Sequence, residues 1–320
     1  MFSRPFAFRI LRRNLSSQYY YTNKNNNKQQ LPPYIWVTAA STVLAGSYCY
    51  YSFLDTVPLT QRSRWIATSA VWENEMGDEE HRKLLQHFQR DILPPNHRAS
   101  ITVHRVGARI ARAAQEFSRE YKLQDSFKPF TYTIVRSDTA NAFVLPGNHV
   151  FVMTGLFKYV RSEDDLAAVL GHEVAHTLAR HAGERISSSV VMSLLSRLAL
   201  LLDPSGILFA ILMPTSTILR DLPHSRTQES EADQIGLDLA ARACYDPRAA
   251  KRVFQAMQND TGHGKGNPPE FLSTHPSHQS RISRLDTWEP GAMQVYRRDQ
   301  CRVIRQQMEL ARQLAIERHP

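Results

Sequence analysis

In the 320-residue sequence, the string Gly171-His172-Glu173-Val174-Ala175-His176 carries the residue types and spacing that could do chemistry. On a helix, His172 and His176 stand at i and i+4 and share one face, with Cβ atoms about 5–6 Å apart. That spacing lets two imidazoles hold one tetrahedral Zn²⁺ at roughly 2.0–2.1 Å. Glu173 follows the first histidine and lies beside the ion, where it is the natural general base for water that the ion acidifies. Two inert core or surface histidines are the alternative, but the motif sits on a predicted helix with a cap at Ser162.

Zinc of this kind needs a third protein ligand and an open fourth position. A further histidine at 182 with glycine at 179 is absent, since both positions are alanine. A carboxylate from a later helix is the other source, and Glu229-Ser230-Glu231-Ala232-Asp233 is the best candidate. Glu229 and Asp233 share a helix face and Glu231 points elsewhere. One carboxylate would bind the metal and another would orient a ligand histidine. Between Glu229 and Glu231 the spacing alone leaves the choice open.

The elements that must position these groups are legible in part. Ser162 with Asp165 approximates a capping box, and Glu163, Asp164 and Asp165 suit the positive end of a helix dipole. The helix is expected to run through Leu166, Val169, Leu170, Val174 and Leu178 to about Glu184. Further helices are expected over 78–91, 101–120, 227–243, from Asp246-Pro247 onward, and over 292–317. Phe130 to Val135 reads as a strand. Asn141 to Leu145 and Val150 to Met153, around Pro146-Gly147-Asn148, read as a hairpin. The fold class is therefore α+β.

Net charge is +9, which could suggest nucleic acid. Six basic residues precede the first acidic one, Asp55, leaving 33 basic and 30 acidic groups in 55–320. The excess is N-terminal, and no basic cluster with interleaved aromatics marks the rest, so no nucleic-acid partner is expected. Phe2, Phe6, Phe8, Ile10, Leu11 and Leu15 interleave with four arginines in an acid-free start, the composition of a mitochondrial transit peptide. The polar, Asn-rich run up to residue 30 reads as a linker. Tyr34 to Phe53 is charge-free and long enough for one transmembrane helix, with Trp36 near one end and Tyr48, Tyr50 and Tyr51 near the other. The basic flank places the N-terminus in the matrix and 55–320 across the membrane. The apolar stretch 188–213, broken at Asp203-Pro204-Ser205-Gly206, is expected to form a buried or membrane-interfacial hairpin.

GHEVAHTLARH (171–181) followed by ESEAD (229–233) resembles the integral-membrane zinc metallopeptidases that include the HtpX-type quality-control proteases and the CaaX prenyl-protein endopeptidases. NAFVLPGNHVFVMTGL (141–156), SEADQIGLDLAARAC (230–244), FLSTHPSHQSRI (271–282) and ILPPNH (92–97) are similar to the mitochondrial inner-membrane branch whose activity overlaps with the m-AAA protease. The resemblance covers roughly 55–300 and implies a zincin-type domain. It implies His172, His176 and Glu229 as ligands to one zinc ion, Glu173 as catalytic base, and Asp233 as the partner that orients a ligand. It further implies that the strand at Asn141, Ala142 and Phe143 pairs with an extended substrate. His275 would donate to the developing oxyanion, with a helix-capping histidine as the alternative. Arg226 would pair with an acid near the metal, or be a plain surface arginine. The family commonly carries Pro-Gly-Gly where Pro146-Gly147-Asn148 stands, and Asn tolerates the positive φ that such a turn needs.

The resulting expectation is a zinc metalloendopeptidase of the mitochondrial inner membrane, its domain over 55–320 facing the intermembrane space. Its substrates would be inner-membrane proteins, dynamin-like fusion GTPases among them, and the chain would form a homo-oligomer in the lipid bilayer. The rivals are a CaaX-type endopeptidase of the endoplasmic reticulum, which needs several spans, and a zinc-binding membrane scaffold without hydrolysis. Cys244 and Cys301 would lie where disulfides form, so a 244–301 bond is one expectation and buried thiols the other.

Overall fold

The computed structural model describes residues 32–123, 128–207, 226–262, 269–275 and 279–318. The expected targeting segment and residues 208–213 of the second apolar stretch lie outside them. The chain divides into two units, Met1–Cys49 and Tyr50–Pro320. Helix α1 (Pro33–Ser52), which lies in the first unit up to Cys49, covers the charge-free segment and buries none of its residues.

The second unit is built around α4 (Glu163–Leu178). Ser162 accepts the Asp165 N–H at 3.1 Å and Asp165 accepts the Ser162 N–H at 3.1 Å, closing the expected capping box. From Asp165 to His176 every residue of α4 is buried. A helix buried all round must be covered on all sides, and four elements cover it: α3 (Arg98–Glu120), α6 (Arg226–Arg242), α7 (Ala249–Gly262) and strand β4 (Ala142–Leu145). Leu166, Leu170 and Val174 of α4 join Val106, Ile110 and Phe117 of α3 and Ile235 and Leu239 of α6 in one core. Each such side chain contributes about 1.5–3 kcal/mol by leaving water.

Helices α4 and α6 cross at two glycines. A Cβ on Gly236 would stand 2.8 Å from the His172 backbone nitrogen, and one on Gly171 would stand 2.9 Å from the Gly236 carbonyl oxygen. The missing side chains let the backbones approach closely enough for the carboxylates of α6 to face the histidines of α4.

Among the described residues, β3 (Thr131–Val135), β4 and β5 (His149–Met153) form a sheet in the order β3-β5-β4. The hairpin β4–β5 is antiparallel, pairing Ala142 with Val152 and Leu145 with His149. Its turn holds Gly147 at φ 83° and Asn148 at φ 68°, so Asn does occupy a left-handed position there. β3 lies parallel to β5. β4 is the edge strand, with no strand on its other side among the described residues. A small ribbon, β1 (Leu54–Thr56) with β2 (Ser63–Trp65), precedes α2 (Ala70–His87). Further helices are α8 (Glu270–Thr274), α9 (Gln279–Tyr296) and α10 (Asp299–Arg318), and Cys244 is disulfide-bonded to Cys301.

Several boundaries differ from expectation. α2 begins at a cap, Ser69, whose side chain accepts the Trp72 N–H, so it precedes the charged stretch that suggested 78–91. α7 opens at Ala249 because Asp246 accepts the Arg248 N–H and makes a turn first. The expected 292–317 helix is split between α9 and α10. α4 stops at Leu178 instead of Glu184, because Arg180 turns left-handed at φ 47°. Arg180 is held there by Glu73, at 2.6 and 3.2 Å, and by the Thr68 carbonyl at 2.8 Å.

A new helix, α5 (His181–Leu202), starts at once. The apolar stretch from 188 falls inside this 22-residue helix, which ends at Leu202 before the turn at Asp203-Pro204-Ser205-Gly206, and residues 208–213 of the expected second arm lie outside the described residues. Among the described residues α5 is the helix long and apolar enough to cross a membrane by length and composition. α1 falls short of that measure, as Ser, Thr, Gly and Tyr dilute its apolar residues.

Candidate metal centre

α4 presents His172, Glu173 and His176 from its last two turns. α6 presents Glu229 in its first turn and Asp233 one turn later, and His275 caps α8. All six are at most 4% exposed. His172 Nε2 lies 3.2 Å from His176 Nε2 and 3.4 Å from Glu229 Oε2, and His176 Nε2 lies 3.6 Å from Glu229 Oε1. His275 Nδ1 is 3.1 Å from Glu229 Oε1 and 3.3 Å from His172 Nε2. One ligand atom from each of His172, His176, Glu229 and His275 falls within 4.8 Å of every other.

These residues fit a metal ion. Two imidazoles and a carboxylate from packed helices are the donor set of catalytic zinc sites. Their acceptor atoms converge, an arrangement that repels unless a cation sits among them. Burial alone would lower the pKa of His172, yet Asp233 and Glu229 push it up to about 9. Burial raises that of Glu229, but hydrogen bonds from His172 and His275 outweigh it and hold the carboxylate well below the usual range. The local field thus favours positive charge.

Glu173 sits differently. Burial pushes its pKa up, against the opposing charges of His275 and His172 and a backbone hydrogen bond from Val144 of β4. Its Oε1 is buried without a hydrogen bond and lies 3.5 Å from His275 Nε2. A cleft of about 610 Å³ reaches Glu173, His176 and His275 and runs along Phe143, Val144 and Leu145 of β4. The cleft therefore meets an ionisable oxygen and a strand edge that no other strand covers among the described residues.

Asp233 Oδ1 lies 3.1 Å from His172 Nδ1, the ring nitrogen turned away from the cluster. Asp233 also takes a two-pronged contact from Arg281, at 2.8 and 2.7 Å, and Arg281 Nη1 reaches Glu229 Oε2 at 3.1 Å. Burial would lower the Arg281 pKa, but Asp233 and Glu229 raise it. Arg226 is not brought to the site: it is exposed at the first residue of α6. An arginine does meet the acids near the cluster, and it is Arg281, within the 271–282 string but 48 residues from Asp233. Glu231 faces away from the cluster and meets His181. Asn141, Ala142 and Phe143 lie at or just before the free edge of β4, the first two buried.

A buried His–His–Glu cluster with a carboxyl group beside it in a cleft is the layout of a metal-dependent hydrolase, and sequence comparison agrees. The chain belongs to peptidase family M48, whose profile matches residues 101–289, and it is a metallopeptidase. It is similar to the mitochondrial metalloendopeptidase OMA1 of Saccharomyces cerevisiae, 36% identical over 261 residues that cover 80% of this chain and 74% of the yeast protein. The Schizosaccharomyces pombe protein of that name is 36% identical over 259 residues, 80% of this chain and 72% of its own length. The human OMA1 metalloendopeptidase is 30% identical over 261 residues, 79% of this chain and 48% of its own length.

Proposed function

We propose that this chain is a zinc-dependent metalloendopeptidase of the mitochondrial inner membrane, its peptidase domain facing the intermembrane space. In this reading it acts as a homo-oligomer on inner-membrane proteins in quality control and stress-responsive processing, dynamin-like fusion GTPases included. The observation that carries the hydrolytic reading is that one cleft reaches Glu173, His275 and His176 of the His172–His176–Glu229 cluster and runs along β4. The location rests on the resemblance to mitochondrial relatives, the acid-free N-terminal composition and the apolar helix α5.

His172, His176 and Glu229 would hold the zinc ion, which polarises a carbonyl and acidifies water when bound. Glu173, whose carboxyl group lies in the cleft, would take a proton from the attacking water and pass it to the leaving amine. His275, within reach of Glu173, donates to the oxyanion as it develops. Asp233 accepts from His172 Nδ1 and fixes its ring. The β4 edge aligns an extended substrate by main-chain hydrogen bonds. The exposed Val190, Leu194, Leu198, Leu201 and Leu202 of α5 lie against lipid.

The test compares zinc content and proteolysis of the full-length protein and Glu173→Gln in detergent, on an unfolded membrane substrate. Both should bind one zinc ion, and the variant should cleave at least about 10²-fold more slowly. Equal cleavage by both, or no zinc in either, refutes the reading.

A further inference from the structure

The ring of His172 faces a carboxylate, Asp233 Oδ1 lying 3.1 Å from its Nδ1, whereas that of His176 meets another imidazole. His176 Nδ1 lies 2.8 Å from His181 Nδ1, and His181 Nε2 lies 3.1 Å from Glu231 Oε2. His181 is the first residue of α5 and is fully buried. Glu231 in turn accepts from Arg62 at 2.7 and 3.0 Å and from the Thr60 hydroxyl at 3.1 Å. Arg62, in the loop between β1 and β2, also forks onto Glu184 of α5 at 2.8 and 2.7 Å.

Counting protons along this chain leaves one consistent assignment. A carboxylate facing a guanidinium and a hydroxyl only accepts, so His181 Nε2 carries a proton and donates to Glu231. A buried imidazole favours its neutral form, with a single N–H, so His181 Nδ1 is bare and accepts. His176 Nδ1 is then the donor, and His176 Nε2 keeps its lone pair. That nitrogen is the one 3.2 Å from His172 Nε2, inside the candidate metal cluster.

We propose that Arg62, Glu231 and His181 form a positioning relay that locks His176 in the tautomer and orientation that present Nε2 to the metal. The proposal rests on the metal-centre reading above. The relay depends on the left-handed Arg180. That residue ends α4 and starts α5, bringing His181 back beside His176, whereas an uninterrupted helix would carry a residue five positions on to another face. It also accounts for the fork on Arg62: two carboxylates from separate helices are fixed by one guanidinium, so Glu231 cannot turn away from His181.

The experiment measures zinc affinity by chelator competition, and the visible absorption of the Co²⁺-substituted protein, for the full-length protein and two variants. His181→Gln can still accept from His176 and donate to Glu231. His181→Phe keeps the ring volume and removes both nitrogens. The relay predicts zinc binding about 10–100-fold weaker in His181→Phe, with a changed Co²⁺ spectrum, and most of the affinity kept in His181→Gln. A packing role predicts the reverse order, and that order, or equal affinity in all three proteins, overturns the proposal. If His181→Phe lacks the wild-type far-ultraviolet dichroism, Arg62→Gln replaces it. It acts from the partly exposed end of the chain and should weaken zinc in the same direction, and unchanged affinity there overturns the proposal. Failure of the metal-centre reading itself would show in the wild type, as absence of zinc.

Discussion

Replacing Arg281 by Met removes the guanidinium that two buried carboxylates share. Asp233 and Glu229 are each about 1% exposed, and Arg281 is about 2% exposed, so water cannot take over its role. In the intact protein burial raises the Asp233 pKa, and Arg281 and His172 more than reverse it. With Arg281 gone, Asp233 is charged in an apolar surround with only a ring nitrogen opposite. Breaking one side of such a pair costs about 3–5 kcal/mol. For a domain of this size that lowers the melting temperature by roughly 10 °C. The assay is thermal unfolding of the zinc-loaded protein in detergent, for Arg281→Met, Asp233→Asn and the double variant. In the double variant no charge is left at position 233, and its amide oxygen can still accept from His172 Nδ1, so most of the lost stability should return. A loss below about 1 kcal/mol in Arg281→Met would refute the reasoning, as would a double variant no more stable than the single one.

Three further outcomes are expected. Reduction of the Cys244–Cys301 bond, which closes a 57-residue separation, should lower stability by about 4 kcal/mol on the chain-entropy argument, read as the shift in urea midpoint with and without reductant. Gly236→Ala should force α4 and α6 apart at the His172 backbone, costing about 1–3 kcal/mol and weakening zinc binding; wild-type affinity and melting temperature would contradict the close crossing. Burial would raise the Glu231 pKa, but hydrogen bonds from His181 and Arg62 hold it at about 2, so its stabilising contribution is complete above pH 4.5 and is lost as pH falls towards 2. Urea unfolding of metal-free protein between pH 5 and 3 should therefore lose stability more steeply in wild type than in Glu231→Gln.

What could be read in the chain was local. Ser162 and Asp165 are three residues apart, so their reciprocal cap is written in the sequence, and the helix that carries His172, Glu173 and His176 follows from it. The β4–β5 hairpin is legible for the same reason, its turn residues lying between its strands. Helix phase put Glu229 and Asp233 on one face, and the site has them so. It could not choose between Glu229 and Glu231, because each faces a histidine: His172 in one case, His181 in the other.

What was not legible depends on partners far away in sequence. α4 ends where Glu73 and Thr68 catch Arg180, more than a hundred residues downstream of both. Sequence proximity points to Arg226 as a partner for an acid near the metal, whereas the arginine that meets Asp233 and Glu229 is Arg281. Nothing in the spacing of His181 distinguishes a helix-end charge from a link in a hydrogen-bonded chain until Glu231 is placed against it.

The open edge of β4 has a consequence for which proteins such a cleft can process. A strand edge offers N–H and C=O groups at fixed intervals, and these groups are the same in every polypeptide. Residue identity along the incoming chain counts for little; what counts is whether its own amides are free. A folded protein has committed those groups to its helices and sheets. A stretch that has come loose has not. With substrates paired to that edge as proposed, the cleft would discriminate by conformational state, and the folding stability of a prospective substrate, more than any recognition motif, would set the rate at which it is cut.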